Sequence, residues 1–260
     1  MPDNSPSGVG GRAQKIRVGA VSYLNTRPLI YGFEKGMMAN DIDLVFDYPA
    51  NIAASLLNKQ IDIGLVPVSV IPLLPEKYII SDYCIGSDGE VASVCLFSDV
   101  PLAQIETILL DYQSNTSVAL LKLLLKEHWN ISPVLVAATE DYEKDISGTR
   151  AGLVIGDRAF QQRLRSKFIY DLGSAWKEMT GLPFVFAAWV SNIVLPESFK
   201  AAFNKANAYG LDNLTEVIST IHSELFDLDD YYRKKVSYTF DAQKEEALQL
   251  FLRSVSSSVA

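Results

Sequence analysis

Two cysteines and two histidines in 260 residues offer no convincing metal constellation, so metal-centred chemistry finds no support in the sequence. The same scarcity argues against a disulfide framework. Cys84 and Cys95 lie in or beside apolar strand-like runs and read as buried, reduced thiols, with a disulfide between them as the alternative. Long apolar runs are missing too, and none nears the roughly 20 residues of a membrane-spanning helix. Positive charge is in short supply. With 23 Lys+Arg against 31 Asp+Glu, the net charge of −8 argues against nucleic acid or an anionic membrane as partner. An anionic ligand must then be held by local dipoles and a few cations against the protein's average field. There is no P-loop, no dinucleotide fingerprint and no nucleophile–base pair at recognisable spacing. Gly86-Ser87-Asp88-Gly89 is too short, and wrongly placed, for a phosphate loop.

What is present reads as a globular chain, 48% hydrophobic and 21% charged, long enough for two lobes of ordinary size. Residues 1–15 are polar and rich in Gly, Pro and Ser. They lack the apolar core of a secretory signal, so the expectation is a disordered tail on a cytoplasmic protein. The organising stretch is Val18 to Leu29. An apolar run from Ile16 to Val21 has the composition of a buried strand, and Ser22 to Thr26 forms a polar turn. A helix then restarts with Thr26 as N-cap and Pro28 in the first turn, where its missing N–H costs nothing. Such a strand-to-helix turn is either ordinary connecting loop or an anion cradle, because unpaired N–H groups converge beside Tyr23, Asn25 and Arg27.

Farther along, Leu29–Gly36 reads as a helix capped by Gly36, Ile42–Phe46 as a strand, Asn51–Leu57 as a helix and Ile61–Val66 as a strand. This βαβαβ order predicts a parallel sheet with right-handed crossovers. The turns Ser22–Thr26 and Val66–Ser69 then face one crevice beyond the strands' carboxyl ends. Tyr78–Ile85 and Val91–Phe97 read as two strands around a tight turn at 86–89. Ile105–Leu110 leads to Gln113–Ser117, whose hydroxyl and amide side chains suit both capping of the helix Val118–Lys126 and capture of a carboxylate at its N-terminus. Pro133–Ala137, Gly152–Ile155, Phe168–Asp171 and Pro183–Val190 read as further strands. Asp157 reads as a helix cap, and Arg158 either as a solvated cation or as counter-ion to a ligand carboxylate. The last 70 residues are helical in pattern, over Pro196–Leu211, Leu214–Leu225, Asp229–Lys235 and Ala242–Arg253. His128 and His222 read as structural or solvent-facing.

The blocks Ser22-Tyr23-Leu24-Asn25-Thr26-Arg27-Pro28, Gly64–Ser69, Ser87-Asp88-Gly89 with Ser93-Val94, Thr116–Leu121, Ile155–Ala159 and Thr180–Ala187 resemble, in order, the chorismate dehydratases of the futalosine route to menaquinone. The resemblance runs from Ile16 to the C-terminus. At Gln113-Ser114-Asn115 the chain departs from a segment that is serine-rich in that family. The implied fold is α/β and like that of type 2 periplasmic binding proteins. It has two lobes, each a mostly parallel sheet flanked by helices, with a ligand cleft between them. Residues 16–97 plus 191–260 would form one lobe and 98–190 the other. The implied reaction is dehydration of chorismate to 3-[(1-carboxyvinyl)oxy]benzoate, without cofactor or metal. Asn25 and Ser93 would be catalytic. Substrate contacts would come from Ser22, Tyr23, Thr26, Arg27, Pro67, Ser69, Ser87, Val94, Asn115, Thr116, Ser117, Gly156 and Asp157. The expected partner is the small-molecule substrate, with a homodimer as default. A non-catalytic carboxylate-binding protein and the sister dihydroxynaphthoate synthase are the alternatives, since fold alone does not choose among them.

Overall fold

A computed structural model describes residues 15–221 and 225–257. The expected tail at 1–14 and His222 lie outside the described residues. In chain order the elements begin with β1 (Ile16–Val21), α1 (Arg27–Glu34), β2 (Ile42–Asp47), α2 (Pro49–Leu57), β3 (Ile63–Pro67), β4 (Tyr78–Ser87) and β5 (Val94–Ser98). They continue through β6 (Thr107–Leu110), α3 (Asn115–Glu127), β7 (Val134–Ala137), β8 (Arg150–Ile155), α4 (Asp157–Arg163), β9 (Phe168–Asp171) and α5 (Leu172–Thr180). The chain finishes with β10 (Phe184–Ser191), α6 (Glu197–Asp212), α7 (Leu214–Ser219), α8 (Leu228–Asp230), β11 (Ser237–Thr239) and α9 (Ala242–Ser257).

The strands form a six-stranded sheet, β11-β4-β10-β3-β1-β2, and a five-stranded sheet, β7-β6-β8-β5-β9. The βαβαβ prediction holds. β1 pairs in parallel with β2 from Ile16↔Ile42 onward and with β3 at Val18↔Ile63. Gly36 takes φ +89 just past α1, the left-handed position that favours glycine at a helix end. Both sheets are mixed rather than nearly all parallel, because β10 runs antiparallel to β3 and β4, and β5 antiparallel to β8 and β9.

The hairpin expected around 86–89 does not form. β4 belongs to the first sheet and β5 to the second, so this connection carries the chain from one sheet to the other. The boundaries placed at 97/98 and 190/191 move accordingly: β5 already lies in the second sheet, and β10 is central in the first. Of the aromatics of β10, Phe184 and Trp189 go to the core and Phe186 lines the cavity. Trp189 donates to Asn207 Oδ1 at 2.9 Å and meets Phe203 edge-on at 5.0 Å, while Phe184 packs against Trp176 at 5.1 Å. Cys84 and Cys95 are free and buried. Burial pushes the Cys84 thiol up to about 12, which leaves it inert.

Candidate active site

The first wall of the cleft is the turn after β1. Its polar composition ends the strand, and a 3₁₀ turn over Leu24–Thr26 leads straight into α1. Thr26 is therefore already helical, at φ −85 and ψ −24, and makes no capping bond. The expected cap is absent because the chain never takes the extended conformation that capping requires. Thr26 is buried, Ser22 is exposed, and Arg27 pairs with Glu34 at 3.1 Å. Tyr23 and Asn25 line the cleft. This turn also reaches the other sheet's helices. Tyr23 donates its hydroxyl to Gln113 Oε1, and Leu24 N–H donates to Asp157 Oδ1 at 3.2 Å. Asp157, expected to cap its own helix, is instead the first residue of α4 and accepts from this turn.

The facing wall is the N-terminus of α3. Ser114 is its cap, accepting from Ser117 N–H at 3.2 Å, and the two hydroxyls lie 3.1 Å apart. The first-turn N–H groups of a helix have no intrahelical acceptor, so hydroxyls and helix dipole converge where an anion is favoured. Thr116 is turned aside. Its Oγ1 accepts from Ser69 N–H at 3.0 Å and donates to Ser69 Oγ at 3.1 Å, joining the two sheets' loops. Asn115 is exposed. Gly156 carries φ +63, and a Cβ there would sit 3.1–3.3 Å from the Tyr23 ring, so the approach of the two walls requires glycine.

The floor comes from the crossing before β5. Asp171, at the start of α5, accepts from Val91 N–H at 3.1 Å and Ala92 N–H at 2.8 Å. It also caps its own helix through Gly173 and Ser174 N–H at 2.9 and 3.1 Å. Ala92 is held at φ +65, a conformation costing an alanine roughly 1 kcal/mol or more. Val91 and Val94 reach the cavity. Between them Ser93 is buried, its Oγ accepting from Tyr231 at 2.9 Å. Ser87 is buried inside β4, away from the cavity wall, with its hydroxyl unpaired.

The cavity between these walls has a volume of about 50 Å³. Its apolar lining is Val21, Pro49, Pro67, Ile85, Val91, Val94, Ile155, Phe186 and Ala187, and its polar side chains are Tyr23, Asn25, Ser114 and Ser117. Tyr23 is the one titratable lining residue, and burial lifts its phenol above the usual range, so it remains a donor. Charge sits one side chain back. Arg158 reaches Gln113 Oε1 at 3.0 Å, Asp111 at 2.5 Å and Glu143 at 2.7 Å. Its guanidinium also lies over the rings of Tyr112 and Tyr142, 5.4 and 5.7 Å from their centres. It is neither a solvated cation nor a free counter-ion.

Of the residues singled out in the sequence, the structure brings Tyr23, Asn25, Pro67, Val94, Ser117 and Gly156 to the cavity. Ser69, Thr116 and Asp157 hold the walls together, while Ser93 lies just behind them. Ser22, Arg27, Ser87 and Asn115 lie elsewhere. Sequence reasoning included Ser114 in the segment Gln113–Ser117, suited to capping and carboxylate capture, without singling it out, and it began the helix at Val118 where α3 begins at Asn115. It missed Gln113 as the link to Arg158, and the tyrosines at 231, 232 and 238.

A family model described as menaquinone biosynthesis matches residues 16–257. A chorismate dehydratase of Thermus thermophilus is 31% identical over 201 residues, covering 65% of this chain and 69% of that protein. One from Campylobacter jejuni is 25% identical over 248 residues, covering 91% and 96%. Among solved structures, a protein of Archaeoglobus fulgidus superposes with a TM-score of 0.72 at 16% identity, covering 94% of this chain and 98% of that one. The periplasmic aliphatic sulphonate binding protein of Escherichia coli gives 0.60 at 13% identity, covering 95% and 92%. The fold is thus that of periplasmic binding proteins.

Proposed function

Since this chain belongs to the menaquinone biosynthesis family, we propose that it is a chorismate dehydratase, a hydro-lyase converting chorismate to 3-[(1-carboxyvinyl)oxy]benzoate and water. The observation that carries the chemical detail is the cavity wall, whose lining side chains include no carboxylate, imidazole, amine or guanidinium. Tyr23 is kept protonated by burial and cannot act as base at neutral pH. The base then comes from the ligand.

Chorismate carries one in reach of its own ring. The enolpyruvyl carboxylate takes the C3 proton, the C3–H electron pair becomes the new ring double bond, and the C4–O bond breaks. The departing hydroxide takes a proton and leaves as water. Aromaticity drives the step, so the protein has only to orient the substrate, exclude bulk water and stabilise developing charge. Asn25 orients the departing hydroxyl. Ser93, between Val91 and Val94, holds the enolpyruvyl carboxylate. Ser114, Ser117 and the first-turn N–H groups of α3 bind the ring carboxylate. The reading carries a cytoplasmic location with it, and among the described residues no helix is long and apolar enough to cross a membrane.

The test is incubation of purified protein with chorismate, following absorbance and separating products. Loss of chorismate with equimolar appearance of the aromatic ether is expected. Chorismate recovered unchanged refutes the assignment. Binding without turnover then points to a solute-binding protein, and turnover of a cyclised futalosine derivative to the sister enzyme.

A further inference from the structure

The stretch Tyr231-Tyr232-Arg233-Lys234-Lys235-Val236-Ser237-Tyr238 follows α8 and opens with a π-helical turn over Tyr231–Lys235. Such turns are rare and are frequently found at functional sites. All three tyrosines are buried. Each donates its hydroxyl at 2.9 Å to a different point beneath the candidate site: Tyr231 to Ser93 Oγ, Tyr232 to the Leu24 main-chain oxygen, and Tyr238 to that of Asn25. None of the three lines the cavity. The Tyr231 ring is locked edge-on against Phe160 of α4 at 5.1 Å and Phe226 at 5.7 Å, so its hydroxyl has little freedom to wander. Burial lifts all three phenols, which keeps them donors.

A serine hydroxyl has one hydrogen to give. At Ser93 the incoming Tyr231 hydrogen occupies a lone pair. The Val91 oxygen, at 3.5 Å, is too distant to hold the serine hydrogen firmly. That hydrogen is left for a ligand. We infer that Tyr231 is a positioning residue which, by donating to Ser93 Oγ, commits the Ser93 hydroxyl to donate to the substrate carboxylate, while Tyr238 and Tyr232 hold the main chain of Asn25 and Leu24 from the same strap. The inference rests on the dehydratase reading. One segment remote in sequence thereby sets the geometry of both catalytic side chains.

The experiment is a double-mutant cycle on chorismate turnover with wild type, Tyr231→Phe, Ser93→Ala and the pair. Phenylalanine keeps the ring packing and removes only the hydroxyl. Tyr231→Phe is expected to lower kcat by about 10- to 100-fold, with KM within about threefold and a melting temperature within about 4 °C of wild type. In the Ser93→Ala background it should cost almost nothing further, because the two groups act as one unit. Tyr238→Phe should lower kcat in the same manner but less. Wild-type kcat in Tyr231→Phe, losses that multiply in the double variant, or a Tyr231→Phe protein that fails to fold would each overturn the positioning role. A wild type inert toward chorismate removes the dehydratase reading and this inference with it. An active wild type with multiplying losses removes this inference alone.

Discussion

The cavity wall and the ion cluster behind it are joined by Gln113, and they treat charge in opposite ways. On the wall, hydroxyls, one amide and helix N–H groups stand among aliphatic side chains. Behind it, the single cation Arg158 is shared by the two carboxylates Asp111 and Glu143, with Tyr142 donating to Asp111 at 2.7 Å. Gln113 Oε1 accepts from the wall residue Tyr23 on one side and from Arg158 on the other. The arginine thus polarises the wall without standing in it. A free cation there would grip the ground-state carboxylates of a dianion as tightly as anything formed later, which lowers KM without raising kcat. Neutral donors fixed in place stabilise charge as it moves.

The comparison breaks most sharply at Arg158. Arg158→Gln leaves the fully buried Asp111 and the largely buried Glu143 without their cation, and should destabilise the fold by about 3 kcal/mol, measured by denaturant unfolding. KM for chorismate, taken where the variant is still folded, should move less than about threefold. A tenfold rise in KM at undiminished stability would make Arg158 the ligand's counter-ion and reverse the contrast. Next comes the wall itself. Asn25→Ala should cost about 100-fold in kcat, or about 2.7 kcal/mol of transition-state stabilisation, with little change in melting temperature. Wild-type turnover would remove Asn25 from the mechanism.

The smallest expected effect concerns Asp157, whose carboxyl burial raises above its ordinary 3.8 despite the bond from Leu24 N–H. The folded protein therefore holds this proton more tightly than the unfolded chain does. Its contribution to stability is complete below pH 3.8 and is lost as pH climbs through the raised value. Asp157→Asn keeps an acceptor for Leu24 and cannot ionise. Melting temperature should fall less steeply with rising pH above 3.8 in this variant than in wild type. Identical slopes would show that Asp157 titrates as an ordinary surface carboxylate.

Local signals were legible and long-range partners were not. Apolar runs found β1, β2, β3 and β10, and the polar segment Gln113–Ser117 found the N-terminal end of α3, because these depend on neighbours within a few residues. The two runs flanking 86–89 were equally visible, but nothing local says that they pair with different sheets. A two-glycine turn reads as a hairpin either way. The six matched blocks led to Asn25, Tyr23 and Ser117, yet Arg27 sits in the first of those blocks and does not line the cavity. The ties from Tyr231 to Ser93 and from Arg158 to Asp111 span long stretches of chain, and no spacing rule reports such a contact. β11, three residues long, gives too short a pattern to notice.

The strand order has a consequence for assembly during synthesis. In the first sheet β10 lies between β3 and β4, so two strands made early keep an open seam until residue 191 has emerged. Every strand of the second sheet, from Val94 to Asp171, is made within that interval. The half of the molecule that starts later can therefore finish first. Until then the nascent chain leaves the edges of β3 and β4 that face β10 unpaired, the kind of exposure that invites intermolecular pairing.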